Sequence, residues 1–139
     1  MGNFLPENRP VLTVDAIVTR CDNYLLIRRK NPPYGWALPG GLVDAGETTE
    51  TAVIRELKEE TNLEAKSVKL FKVASEPNRD PRFSAISLVY EIQAYGGELK
   101  AGDDATEFGW FSLLNIDNLN LTLAFDHLQI IKEYDALRW

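Results

Sequence analysis

The chain has 139 residues, 45% of them hydrophobic and 26% charged, which suits one domain with a sizeable core and carries no fibrous or disordered signature. A formal net charge of −6 argues against unspecific binding to DNA, RNA or anionic membranes. A single cysteine, Cys21, excludes an internal disulfide framework and suits a reducing, cytoplasmic setting.

In chain order, the first ten residues have neither the basic region nor the apolar run of a secretory leader, and Pro6 stands where a myristoylation site wants Ser or Thr. No apolar run reaches membrane-spanning length. Residues 11–20 and 24–30 alternate as strands and predict a hairpin closed at Asp22-Asn23. The stretch NPPYGWALPGG reads as a structured loop around a short strand at 36–38. Residues 48–61 carry Ala52, Val53, Ile54 and Leu57 at helical spacing.

Two strands follow, at 65–75 and within 83–95, separated by the turn-rich EPNRDPR. A short strand near 107–113 and a helix over 125–137 complete the chain. Asp126 with Gln129 three residues on predicts a capping box for that helix. Strands and helices mix without strict alternation, so the expected fold is α/β, a mixed sheet with a helix on each side, in one domain spanning 1–139.

The acidic helix concentrates the chemistry. Positions four apart lie on one face, so Glu56 and Glu60 project together, and Glu59 sits beside Glu56. Arg55 can pair with Glu59 and reach back to Glu47. Taken alone, these carboxylates suit either a solvated, salt-bridged face or a divalent-cation site whose charge offsets their repulsion. Gly40 and Gly41, having no Cβ, let the preceding loop approach a metal or phosphate closely.

The wider spacing decides between them. Gly41, Glu47, Arg55, Glu56, Glu59 and Glu60, at their intervals, resemble the signature of the Nudix hydrolases. Those enzymes cleave a nucleoside diphosphate linked to another group. The one departure is Asn62 in place of glycine, and Asn tolerates the left-handed conformation that a helix C-terminus often needs. The resemblance implies an α/β/α sandwich. It also implies Mg²⁺, with Mn²⁺ as the alternative, held by Glu56, Glu59, Glu60 and the Gly40-Gly41 backbone, while Glu47 and Arg55 orient the carboxylates. Catalysis would fall to Glu56, Glu59, Glu60 and Arg55. Glu107 is favoured as general base, with Asp103 and Asp104 as other candidates in a loop that also reads as merely solvated.

The segments around the box, including PNRDPRFS and LAFDHLQII, are similar to the ADP-ribose pyrophosphatases of that family. That similarity implies hydrolysis of ADP-ribose to AMP and ribose 5-phosphate by a homodimer that binds a small nucleotide and no nucleic acid. Nucleoside triphosphates or other nucleoside diphosphate derivatives are the alternative substrates, and a noncatalytic ADP-ribose sensor is the other class. Arg79 and Arg82 suit phosphate or ribose oxygens, or else a surface turn pinned by Asp80. Strand alternation lets only one of Arg28 and Arg29 face the site. Phe4, Tyr34, Trp36 and Phe83 are the aromatics available to an adenine, each equally explained by packing, and Trp36 joins the arginines as a substrate-binding candidate. His127 reads as structural.

Overall fold

The computed structural model describes residues 9–100 and 105–138. In chain order the elements are β1 (Val11–Arg20), β2 (Asn23–Arg29), β3 (Trp36–Ala37), β4 (Gly40–Leu42), α1 (Thr49–Thr61), β5 (Glu64–Ala74), β6 (Ala85–Gly96), β7 (Ala105–Phe111), α2 (Leu113–Asn118) and α3 (His127–Leu137). The main sheet path runs β3-β2-β1-β6-β5, with β4 added to β1 and β7 to β2. Pairing is antiparallel except between β1 and β6, which run parallel, so the sheet is mixed as expected.

Period-two alternation divides the core into two layers. Val14, Ala16 and Val18 of β1 and Leu25 of β2 pack with Ala52, Val53 and Leu57 of α1. Ile17 of β1 and Tyr24 and Leu26 of β2 turn to the other face and meet Ile130, Ile131 and Tyr134 of α3. The result is helix, sheet, helix. Leu57 is completely buried, so Leu57→Ala is expected to destabilise the protein by about 2–5 kcal/mol, measured by urea unfolding. A loss well under 1 kcal/mol would mean that α1 does not anchor the layer.

Helix α1 begins where the Thr48 hydroxyl accepts the Thr51 N–H at 3.1 Å and ends at Asn62, whose φ of 66° is left-handed. The asparagine therefore does what glycine would do. Its N–H donates to the Lys58 carbonyl at 2.9 Å, and its side-chain amide to the Glu98 carbonyl.

Two local expectations need correction. The first hairpin turns at Cys21 and Asp22, with Cys21 left-handed at φ 56°, while Asn23 already belongs to β2. At α3 the Asp126 side chain makes no capping bond, because Arg79 takes its carboxylate through bonds of 2.7 and 3.1 Å. The capping box sits instead on the unanticipated helix α2, between Ser112 and Asn115.

Pairing positions the functional loop. β1 pairs with β2 at Thr19 and Arg20 and gives Thr13, Val14 and Asp15 to β4. The Gly40-Gly41 backbone is thereby laid along β1, facing α1.

Candidate active site

The Gly40-Gly41 strand and the acidic face of α1 form one wall each of a cleft of about 400 Å³, lined among others by Arg29, Gly40, Gly41, Glu56 and Glu60. Residues 38–41 are held at every step. The Leu38 N–H donates to His127 Nδ1 at 3.0 Å, the Pro39 carbonyl accepts from Ala16, and the Gly40 N–H donates to Glu60 Oε1 at 3.1 Å. At Gly41 a Cβ would lie 2.6 Å from the Glu56 carboxylate. At Gly40 it would collide with the Val14 carbonyl and the Asp15 carboxylate. Gly40, which would meet backbone, therefore needs glycine for close approach, whereas a side chain at Gly41 would displace the Glu56 carboxylate.

Arg55 organises the carboxylates. Its Nε and Nη2 donate to Glu47 at 2.7 and 3.0 Å, its Nη1 to Glu56 at 2.8 Å and Glu59 at 3.2 Å, and its Nη2 also to the Leu42 carbonyl at 3.1 Å. The guanidinium and the Asp44 N–H hold the Glu47 carboxyl down at about 2, and Glu47 in turn raises Arg55 further above its ordinary range. Glu60 lies in the opposite environment. Burial first, then the charge of Glu56 and a hydrogen bond with it, push the Glu60 carboxyl well above the ordinary range. Burial also raises Glu56, against the pull of Arg55.

The carboxylates of buried Glu60 and half-buried Glu56 offer the hard oxygen ligands that a divalent cation takes. Among the described residues no three His, Cys, Asp or Glu side chains converge on one point, because Glu59 leans out to Arg55 and is 57% exposed. Two carboxylates from Glu56 and Glu60, with the neighbouring glycine backbone, are what Mg²⁺ commonly uses, since it keeps waters and takes further oxygens from substrate phosphates.

The remaining candidates divide by position. Of the two strand arginines, Arg29 lines the carboxylate cleft. Arg28 bonds Glu107 at 2.8 Å, and both line an adjoining cleft with Trp36. Glu107 is not among the residues lining the carboxylate cleft. Trp36 packs edge-on against Phe111. Asp80 does pin a turn, but its guanidinium is that of Arg82, with bonds of 2.9 and 3.1 Å. Arg79 is buried instead, against Asp126 and, at 3.9 Å, Asp15. Tyr34 and Phe83 are exposed. Phe4, Asp103 and Asp104 lie outside the described residues.

Sequence reading missed Asp15. Buried at the centre of β1, it accepts from the Ser87 hydroxyl and stands 3.4 Å from His127 Nε2. Since His127 Nδ1 accepts from Leu38, the ring proton sits on Nε2, toward Asp15. The signal was an acid in the apolar run VLTVDAIV, where a buried charge has to find partners.

A NUDIX domain model matches residues 9–134. An ADP-ribose pyrophosphatase of Methanocaldococcus jannaschii is 51% identical over 132 residues, which is 94% of this chain and 75% of that protein. A bifunctional NMN adenylyltransferase/ADP ribose pyrophosphatase from Francisella tularensis, solved with AMP and a Mn ion, superposes with a TM-score of 0.78 at 36% identity, covering 92% of this chain. This chain spans 42% of that larger protein. The NUDIX domain of Shewanella oneidensis NrtR, solved with ADP ribose, gives a TM-score of 0.80 at 29% identity, covering 95% of this chain and 92% of that one.

Proposed function

The chain belongs to the NUDIX family, and from that premise we propose that it hydrolyses ADP-ribose to AMP and ribose 5-phosphate. Water attacks one phosphorus of the pyrophosphate, the bridging P–O bond breaks, and each product leaves with one phosphate. The observation that carries this reading is the pairing of buried Glu60 and half-buried Glu56 with a glycine strand that comes close to both. The 51% identity to an ADP-ribose pyrophosphatase supports the choice of substrate.

Glu56 and Glu60 would hold Mg²⁺ or Mn²⁺, and a divalent cation supplies charge neutralisation at the pyrophosphate and a more acidic water. The chain's own residues do the rest. Arg55 orients Glu56 and opposes the protonation that burial favours, Gly40 fixes one oxygen of Glu60, and Arg29 brings positive charge to the same cleft. The homodimer and cytoplasmic residence implied by resemblance belong to this proposal.

A substrate panel at fixed Mg²⁺, with products identified by chromatography, tests it. ADP-ribose should be the preferred substrate, yielding AMP and ribose 5-phosphate in equal amounts. Excess EDTA should abolish turnover, and added Mg²⁺ or Mn²⁺ should restore it. Triphosphate turnover far above that of ADP-ribose would overturn the substrate assignment. Binding of ADP-ribose without turnover would favour a sensor.

A further inference from the structure

Phe125 is held in a conformation that its residue type disfavours. Its φ is +58°, left-handed backbone that a bulky side chain adopts only where its surroundings compel it. What the position secures is a ring between two cations. The Arg29 guanidinium lies 4.9 Å from the ring centroid and that of Arg82 5.4 Å, with Phe83 covering Arg82 at 4.7 Å. Both arginines and the phenylalanine line one small cavity that shares Gly40 and Gly41 with the carboxylate cleft.

Two guanidinium groups gathered at one ring repel each other. Burial, and next the charge of Arg82, lower the pKa of Arg29. Each arginine is tethered from behind. Arg29 donates through Nε and Nη2 to the Pro33 and Pro32 carbonyls, and Arg82 through Nε and Nη2 to Asp80. Among the described residues, none accepts a hydrogen bond from Nη1 of either one. A strained aromatic support, two converging cations and two uncommitted donor edges form a receptor for an anion.

We infer that Phe125 is a positioning residue, holding Arg29 and Arg82 as a clamp for a phosphate group beside the carboxylate cleft. The identity of that phosphate as part of a pyrophosphate rests on the function proposed above. The clamp does not. In turnover the clamp acts on binding, so Phe125→Leu should raise KM for ADP-ribose and leave kcat within about twofold.

The deciding experiment needs no turnover. Inorganic pyrophosphate is titrated calorimetrically into the protein in EDTA. Wild type should bind, Phe125→Leu and Arg82→Gln should each bind about tenfold more weakly, and Phe125→Tyr should restore affinity, as a desolvated cation–π support requires. Tyr24→Phe, which loses a bond to Asp135 on the α3 side, serves as the destabilised control and should keep full affinity. Absence of binding by wild type, unchanged affinity in Phe125→Leu, or equal loss in Tyr24→Phe overturns the clamp. If this pattern holds in a protein that does not hydrolyse ADP-ribose, the clamp stands and the proposed function falls.

Discussion

Glu60→Gln is expected to lower ADP-ribose turnover by on the order of a hundredfold or more while leaving the protein, in EDTA at pH 8, at least as stable as wild type. The two effects have one cause. Glu60 is 4% exposed, beside the carboxylates of Glu56 and Asp15, and the fold favours its neutral form. Glutamine supplies that neutral form permanently, with the same length and an oxygen for the Gly40 N–H. What it cannot supply is negative charge for a cation.

The sign of the pH dependence follows. The unfolded chain releases this proton near pH 4.3, whereas the folded carboxyl is pushed up to about 9. Between those values the native state binds more protons than the unfolded state, so this group makes wild-type stability in EDTA fall as pH rises. Glu60→Gln removes that contribution. The Tm difference in favour of the variant should therefore widen from pH 5 to pH 8, and Mg²⁺ should close it by stabilising wild type alone. Turnover within about threefold of wild type, or a variant less stable than wild type at pH 8, would sink the assignment of Glu60.

These expectations show which features were readable from local order. The carboxylate face of α1 rests on spacing within one helix, so the Arg55 contacts to Glu47 and Glu59 could be anticipated from the helical repeat and a short reach back across the cap. Asn62 was readable for the same reason. The α3 cap was not. Its Asp126-to-Gln129 pattern is genuine, but a capping bond is worth about 1 kcal/mol, whereas stranding the buried Arg79 guanidinium without a partner would cost about 3–5 kcal/mol. Asp126 therefore turns to the buried guanidinium, which belongs to a residue far away in the chain. Asp15 and the partners of His127, which was itself readable as structural, belong to the same class. Their roles arise where β1, β4 and the start of α3 meet, and no window of sequence contains that junction. The hairpin error is different in kind: Asp22-Asn23 is acceptable turn chemistry, but the chain places its left-handed residue at Cys21.

Arg55→Lys tests whether the support beneath the carboxylates matters as much as the carboxylates themselves. The arginine spans Glu47, Glu56, Glu59 and the Leu42 carbonyl with one rigid fork. A lysine ammonium is a single point and cannot serve all four, so equal charge does not make the exchange conservative. Glu56 would lose the partner that opposes its burial and would favour its protonated form. The expected loss is about 10–100-fold in metal affinity or activity, the usual effect of removing a group that orients metal ligands. The Mg²⁺ concentration giving half-maximal rate distinguishes this from a direct role. If Arg55 acts through Glu56, that concentration should rise about tenfold or more, and saturating Mg²⁺ should recover much of the rate with little change in KM for ADP-ribose. A raised KM with unchanged Mg²⁺ dependence would instead put the guanidinium on the substrate, and the carboxylate pair would then need no support from Arg55.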